Sequence, residues 1–426
     1  SKIVKHHDAL RIVIKEEGDK IIQYNKGTED KLFDLSVMDL SNKESYQVEI
    51  EKEAIKIQSS INLFDGPLVK LGLFKTKDGD HLLIAIHHLV VDGISWRVLF
   101  EDISTGYRQA INKEEIELPS KTHSFKEWSE NIINYAKSSK LLEEIKYWSK
   151  IENTKVGEIC KDYEITNNKV YNSNSIEMKI SKENTKNLIK DTKKAYNTEI
   201  NDILLASLGL AIKNWTGENK VLVNLEGHGR EEIMPNMNIT RTVGWFTSAY
   251  PVILDCEKSD DIGYYIKLVK DDLRKIPSRG VGYNILKYIT PKEYINDLEF
   301  KLKPHISFNY LGQFDNDINQ GVFNMSSIST GDSISKESER LYDININGMV
   351  VNEELSLNFE YNKDEYDKST IIEFVKNYKE ALLDVIKHCT EKENTEMTPS
   401  DFDYKEVSIE ELQDMKLTIG SLFNEI

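Results

Sequence analysis

The spacing of hydrophobic positions changes several times along the chain, and each change predicts an element. In ALRIVIKEEGDKIIQYN, residues 9–25, β-branched runs flank Gly18-Asp19 and predict a hairpin. Residues 49–61 carry helical spacing of charged and apolar side chains. PLVKLGLFKTKDGDHLLIAIHHL, residues 67–89, reads as a second hairpin turning at Lys77–Asp80. Its second strand is apolar from Leu82 to Ile86, which predicts a central strand buried on both faces. Residues 94–111 fit a helix with Trp96, Leu99, Phe100 and Ile103 on one face, and more helices are expected across 124–150.

Periodicity fades over 152–173, a polar stretch that reads as the crossover between two lobes. It returns as a strand near Ser175–Ile180, with a helix start at Ser181, Glu183 and Asn184. Asp202–Trp215 is apolar and helical, and Lys220–Leu225 is a strand running into EGHGRE. Residues 316–340 are polar and rich in Ser, Asn and Gly; they read as a loop or as a segment reaching across to the other lobe. A hairpin is predicted within 342–362, turning at Asn352–Glu354, then an amphipathic helix over 368–390. The division expected is an N-terminal lobe over 1–160, a C-terminal lobe over 161–400 and an acidic linker over 401–426.

Length and charge narrow the function. A chain of 426 residues with 39% hydrophobic positions exceeds one ordinary core. A net charge of −17 opposes binding to nucleic acid and makes long-range attraction to an acidic protein partner unexpected. No run of 18 apolar residues predicts a membrane span, and the opening SKIVKHHDAL lacks signal-peptide architecture. The three cysteines, Cys160, Cys256 and Cys389, are widely spaced and odd in number, which argues against a disulfide framework or zinc site and for a reducing cytoplasm. No metal site is expected.

Five segments are candidates for chemistry. HHLVVDG, residues 87–93, ends an apolar strand in His87 and His88, passes Asp92, and opens a helix at Gly93. A histidine there can be held rigidly while facing a cleft, with Asp92 orienting the loop or pairing with a cation. The alternative is a core histidine and a capping aspartate. EGHGREE, residues 226–232, also follows an apolar strand and offers Glu226 as a general base beside flexible glycines; Arg230 is a cation able to neutralise a buried aspartate such as Asp92. The alternative is a turn with solvated charges. RTVGWFTSAYPVIL, residues 241–254, brings Trp245, Phe246 and Ser248 as cleft-lining candidates, with core packing as the alternative. PSRGVGY, residues 277–283, contributes Tyr283 on a glycine-containing loop without dinucleotide spacing. SFNYLGQFD, residues 307–315, holds Asn309 and Tyr310, which could donate to an oxyanion or simply pack a sheet edge.

Taken together, HHLVVDGISW, DILLASLGLA, EGHGRE, RTVGWFTSAYP, GVGYNILKY and FNYLGQFD resemble, in order, the core motifs of the epimerization domains of nonribosomal peptide synthetases. The resemblance runs from HHDALR to PSDFD. HHxxxDG is shared with condensation domains and chloramphenicol-acetyltransferase-like acyltransferases; EGHGRE and FNYLGQFD mark the epimerization branch. The family begins with a further segment carrying a P-I-Q-x-W-F-like motif, so the first lobe is expected to lack its first segment. The resemblance implies an α/β fold of two pseudo-symmetric acetyltransferase-like lobes in a V around a central tunnel.

It further implies inversion, L to D, of the α-carbon of an aminoacyl or peptidyl thioester. The substrate would ride on the phosphopantetheine arm of a peptidyl carrier protein, with adenylation and condensation domains as neighbours and no cofactor of the enzyme's own. Carried over by motif, His88 and Glu226 are the acid/base pair, Tyr310 and Asn309 assist, and His87, Asp92, Gly93 and Arg230 are structural. The rivals are a peptide-bond-forming condensation domain, which would not need Glu226, and a catalytically silent scaffold between modules.

Overall fold

Two antiparallel hairpins and one parallel neighbour build the sheets of the first part of the chain. A computed structural model describes every residue except 165–166, 258, 260, 296–297, 314–322, 403–406 and 425–426. Strand β1 (Ile12–Glu17) pairs antiparallel with β2 (Lys20–Asn25). The expected Gly-Asp turn joins them, and Gly18 takes the φ of +61° that the turn requires. A separate sheet has the order β3 (Asp34–Asp39), β4 (Val69–Thr76), β5 (Gly79–Ile86), with β3 and β4 parallel and β4 and β5 antiparallel.

The central position expected for residues 82–86 is therefore not met. Strand β5 is at the edge of that sheet, and Leu82 is 48% exposed. A short apolar run cannot by itself distinguish a strand buried on both faces from one buried on a single face. The helix Tyr46–Ser59 covers one face of this sheet: Ile50 and Ile57 pack with Phe74 and Ala85. The helix Gly93–Ile111 buries Val98 and Leu99 with Leu10, Val69, Val90 and Val91.

The second sheet has six strands in the order β6 (Ser173–Lys179), β11 (Glu354–Asn362), β10 (Ile344–Val351), β9 (Ile306–Gln313), β7 (Lys220–Gly227), β8 (Ser248–Asp255). The central neighbours β10, β9 and β7 run parallel; the outer pairs are antiparallel. Alternation decides its faces. Val223, Leu225, Ile306, Phe308, Ile344, Ile346, Leu357 and Phe359 are buried on one face, where the helices Ile200–Thr216 and Lys368–Thr390 pack. Asn224, Ser307, Asn309 and Asn347 share the other face. The β10–β11 hairpin turns at Asn352-Glu353 with φ of 52° and 68°, the two left-handed residues of a tight hairpin turn.

The chain divides into two compact units, and neither is continuous. One comprises Ser1–Tyr135, His228–Thr247 and Phe314–Lys336; the other comprises Ala136–Gly227, Ser248–Gln313 and Glu337–Ile426. The boundary expected at 160 thus falls at 135/136, and the single cut at 160 misses two excursions. The polar segment expected to reach across belongs to the first unit as far as Lys336, where Gln58 Nε2 donates to the Thr330 carbonyl at 2.8 Å and Ser329 to Glu51 at 2.9 Å, and residues 337–340 belong to the second.

The acidic linker over 401–426 is also corrected. Asp401 is gripped by Lys270 Nζ at 2.7 Å, and a helix follows over Ile409–Asn424. Among the described residues, no helix is long and apolar enough to cross a membrane.

Candidate active site

In the first unit, the end of β5 is anchored from below and open above. Val90 and Val91 are buried, while His88 between strand and helix remains exposed. His87 is turned inward. Its Nδ1 accepts the Leu89 N–H at 3.2 Å, which assigns the proton of its neutral ring to Nε2. Burial lowers the pKa of His87, and the neighbouring His88 lowers it further. The His88 ring meets the edge of Trp245 with centroids 5.1 Å apart.

Asp92 ties this loop to the segment carrying Trp245. Its Oδ1 accepts the Ser95 N–H at 2.7 Å, capping the helix that opens at Gly93. Its Oδ2 accepts the Phe246 N–H at 3.1 Å. Arg230 Nη2 reaches Asp92 Oδ1 at 3.0 Å and Oδ2 at 3.2 Å, so the ion pair anticipated from sequence is formed, with both side chains buried. The other Arg230 nitrogen, Nη1, donates to the carbonyls of Ile239 and Thr242, both at 2.8 Å, and the guanidinium lies 4.1 Å from the Phe246 ring centroid. Burial lowers the Arg230 pKa, and Asp92 only partly offsets it.

Ser95, which sequence reasoning passed over, closes the network. It donates to the Gly244 carbonyl at 2.9 Å and accepts from Gly244 N at 3.0 Å and Arg230 at 3.0 Å. A Cβ on Gly244 would lie 2.3 Å from the Phe125 ring, so the backbone is pressed into its place.

In the second unit, Glu226 sits where two parallel strands cease to pair. The β7–β9 ladder ends at Leu225 and Phe308. Beyond it the strands are joined through side chains: Asn309 Nδ2 donates to Glu226 Oε2 at 2.8 Å. Tyr342 was also missed from sequence. Burial, and then the charge of Glu226, push its phenol up to about 12, so it stays a neutral donor near that carboxylate. The neighbouring loop is strained. Ser278 and Arg279 have φ of 46° and 47°, and the Arg279 carbonyl lies 3.7 Å from where a Gly227 Cβ would stand.

The remaining candidates separate. Tyr310 follows Asn309 on β9 and therefore faces the helices, against Gly348 and Leu357, on the other side of the sheet from Glu226. Trp245, 43% exposed beside His88, remains available to a ligand. Phe246 is 4% exposed and enclosed by Phe125, Trp128 and Arg230, so the ligand contact expected of it is replaced by packing. Tyr283 is buried against Trp148 and Phe300 with its hydroxyl on Glu152 at 2.8 Å; it too is a core residue. Ser248 pairs with Gly227, which puts it on the face opposite Glu226.

His6, His7 and Asp102 bring metal-type donors together, but each is engaged. His7 Nε2 bonds Asp102 at 2.6 Å, Asp102 also takes Arg241, and His6 Nε2 meets the Pro119 carbonyl at 3.1 Å.

Glu226 closes a strand of the parallel-centred sheet of the second unit, and His88 follows the edge strand of the first unit's sheet. The chain belongs to the condensation domain family, whose model matches residues 1–407. It is 46% identical to the solved epimerization domain from the third module of tyrocidine synthetase B, with a TM-score of 0.89 over 92% of this chain and 88% of that one. It is 50% identical over 424 residues to gramicidin S synthase 1 of Brevibacillus brevis and 45% identical over 423 residues to tyrocidine synthase 1 of Brevibacillus parabrevis. Each alignment takes in 97% of this chain but only 39% of the relative. The first condensation domain of the CDA synthetase shares the fold at 16% identity and a TM-score of 0.62.

Proposed function

We propose that the chain epimerizes the α-carbon of an aminoacyl or peptidyl thioester held on the phosphopantetheine arm of a carrier protein. The observation that carries this reading is the Glu226–Asn309 pair at the open end of β7 and β9, in a chain 46% identical to a solved epimerization domain. Thioester conjugation acidifies the α C–H. A base takes that proton, leaving an enolate with its charge on the carbonyl oxygen, and an acid on the opposite face returns a proton to carbon.

His88 and Glu226 are the two groups, one from each unit, so the reading requires both to reach one α-carbon. Asn309 holds the Glu226 carboxylate in orientation, and Trp245 borders the substrate beside His88. No cofactor of its own enters the mechanism. The carrier, adenylation and condensation domains are the partners this reading assigns.

The test uses a carrier protein loaded with aminoacyl thioesters in deuterated solvent. Exchange of the α-proton together with conversion of L to D at the α-carbon is expected. The family model's description makes peptide-bond formation the second reading. Condensation with a second loaded carrier, without α-proton exchange, would establish that reading and remove ours.

A further inference from the structure

The segment PSRGVGY has no part in the chemistry above, yet its turn stands directly behind Glu226. Strand β7 ends in Glu226 and Gly227. Neighbours on a strand face opposite ways, so Gly227 presents the face that Glu226 does not. On that face the Arg279 carbonyl comes within 3.7 Å of where a Gly227 Cβ would stand. The turn therefore bears on the backbone that aims Glu226, not on its carboxylate.

This turn is held under strain. Ser278, Arg279 and Gly280 have φ of 46°, 47° and 83°. Two successive non-glycine residues in the left-handed region are costly and persist only where the surroundings impose them. Gly280 is seated on Tyr250, whose ring a Cβ at that position would overlap. Ser278 is held by its hydroxyl, which donates to Glu144 Oε1 at 2.9 Å.

Glu144 is itself fixed. It caps the helix Ile145–Glu152, is 6% exposed, and accepts the Trp148 indole N–H on Oε2 at 3.1 Å. Trp148 is fully buried and packs on the rings of Tyr250 and Tyr283. The start of the helix Val281–Tyr288 presses on the same carboxylate, since a Cβ on Gly282 would overlap Oε2. Burial raises the Glu144 pKa, and the bonds from Trp148 and Ser278 only partly offset this. A buried carboxylate met by neutral donors is a costly way to fill space. What it supplies here is a rigid acceptor aimed at a strained turn.

We propose that Glu144 is a positioning residue for Glu226. Through Ser278 it holds the Pro277–Gly280 turn against Gly227, and the strand end so fixed keeps the Glu226 carboxylate on Asn309. The inference rests on Glu226 as the acting carboxylate, but its first test needs no turnover.

The Glu226 carboxyl is titrated in the full chain by carbon-13 NMR, with Glu226→Gln identifying its signal. Ser278→Gly removes the hydroxyl while suiting the positive φ, so it should melt near the parent temperature. Its Glu226 titration should nevertheless move upward, because a misaimed carboxylate loses the Asn309 donor. Its kcat for α-proton exchange should fall about tenfold with KM within about twofold of the parent. Glu144→Gln can still accept from Trp148 and donate to Ser278, so its kcat should stay within about threefold of the parent. Glu144→Ala should match Ser278→Gly in titration and kcat, and combining the two should lower kcat no further. Ser278→Gly decides the matter whether or not Glu144→Ala folds. An unmoved Glu226 titration in Ser278→Gly, or a lowered melting temperature with parental kcat, would overturn the assignment. A titration that moves as expected in a chain without α-proton exchange would sink the epimerase reading and support this one; exchange with an unmoved titration sinks this one alone.

Discussion

Removing the Asp92 carboxylate tests whether the strand-end loop is built around an ion pair or merely decorated by one. In Asp92→Ala, Arg230 stays buried with its charge unanswered, and the N–H groups of Ser95 and Phe246 lose their acceptor. Breaking a buried pair on one side costs about 3–5 kcal/mol, and loss of a helix N-cap alone about 1 kcal/mol. These terms overlap, so a loss of about 3–5 kcal/mol is expected, a large part of the stability of an ordinary domain. Urea denaturation followed by circular dichroism measures it.

Arg230→Leu should also destabilise, because the carbonyls of Ile239 and Thr242 lose their donor. The double variant should be much less unstable than the sum, with a coupling of at least about 1.5 kcal/mol, since the stranded charge is gone. Exchange activity should fall in Asp92→Ala as well, because the same oxygen atoms place Trp245's segment beside His88. An Asp92→Ala protein with the parental midpoint, or a coupling below about 0.5 kcal/mol, would refute the structural role. Loss of turnover alone would then make Asp92 a participant in the chemistry.

His88→Ala and Glu226→Gln should each lower α-proton exchange by about 10²–10⁴-fold with little change in unfolding midpoint, as neither side chain is deeply buried. Asn309→Ala should slow exchange about tenfold and shift the acid limb of its pH profile upward, because a carboxylate that loses a donor is easier to protonate; an unmoved limb would show that the bond does not tune Glu226. Burial works to raise the Asp401 pKa, but hydrogen bonds from Lys270, the Thr398 N–H and Asn197 outweigh it and hold it below the ordinary carboxylate range. Its contribution to stability is therefore complete above the unfolded pKa of about 3.9 and is lost as pH falls through the lower folded value; Asp401→Asn should flatten that part of a melting-temperature profile. Association with a separate acidic carrier protein should be weak and change less than about tenfold between low and high salt, since a chain of −17 offers no long-range attraction; a tight, steeply salt-sensitive complex would contradict this.

What could be read from sequence depended on whether the deciding interaction was local. Gly18-Asp19, Asn352-Glu353 and the helix start at Ser181 are fixed by neighbours two or three residues away, and each stands where the pattern placed it. The helix Lys368–Thr390 matches its predicted span because a sustained apolar stripe has no rival reading. Strand β5 failed that test: five apolar residues say nothing about which strands flank them. The two discontinuous units failed it in part: the polar composition of 316–340 allowed a segment reaching across to the other lobe, but nothing in residues 228–247 announces that they pack with the first 135 residues.

The candidate site shows the same limit at the scale of single side chains. Asp92 and Arg230 were legible as a pair because Asp92 is the single carboxylate of HHLVVDG and Arg230 the single arginine of EGHGREE, whereas Ser95 was not, because a serine one turn into a helix has many ordinary uses. Asn309 and Tyr310 entered as one motif, yet a strand sends neighbours to opposite faces, so only one can share a face with Glu226. Which one depends on the register of β9 against β7, and that register is set by Val223–Leu225 meeting Ile306–Phe308. A motif can name the residues at a site; which of them face the reacting atom is decided by a ladder of apolar pairs one strand over.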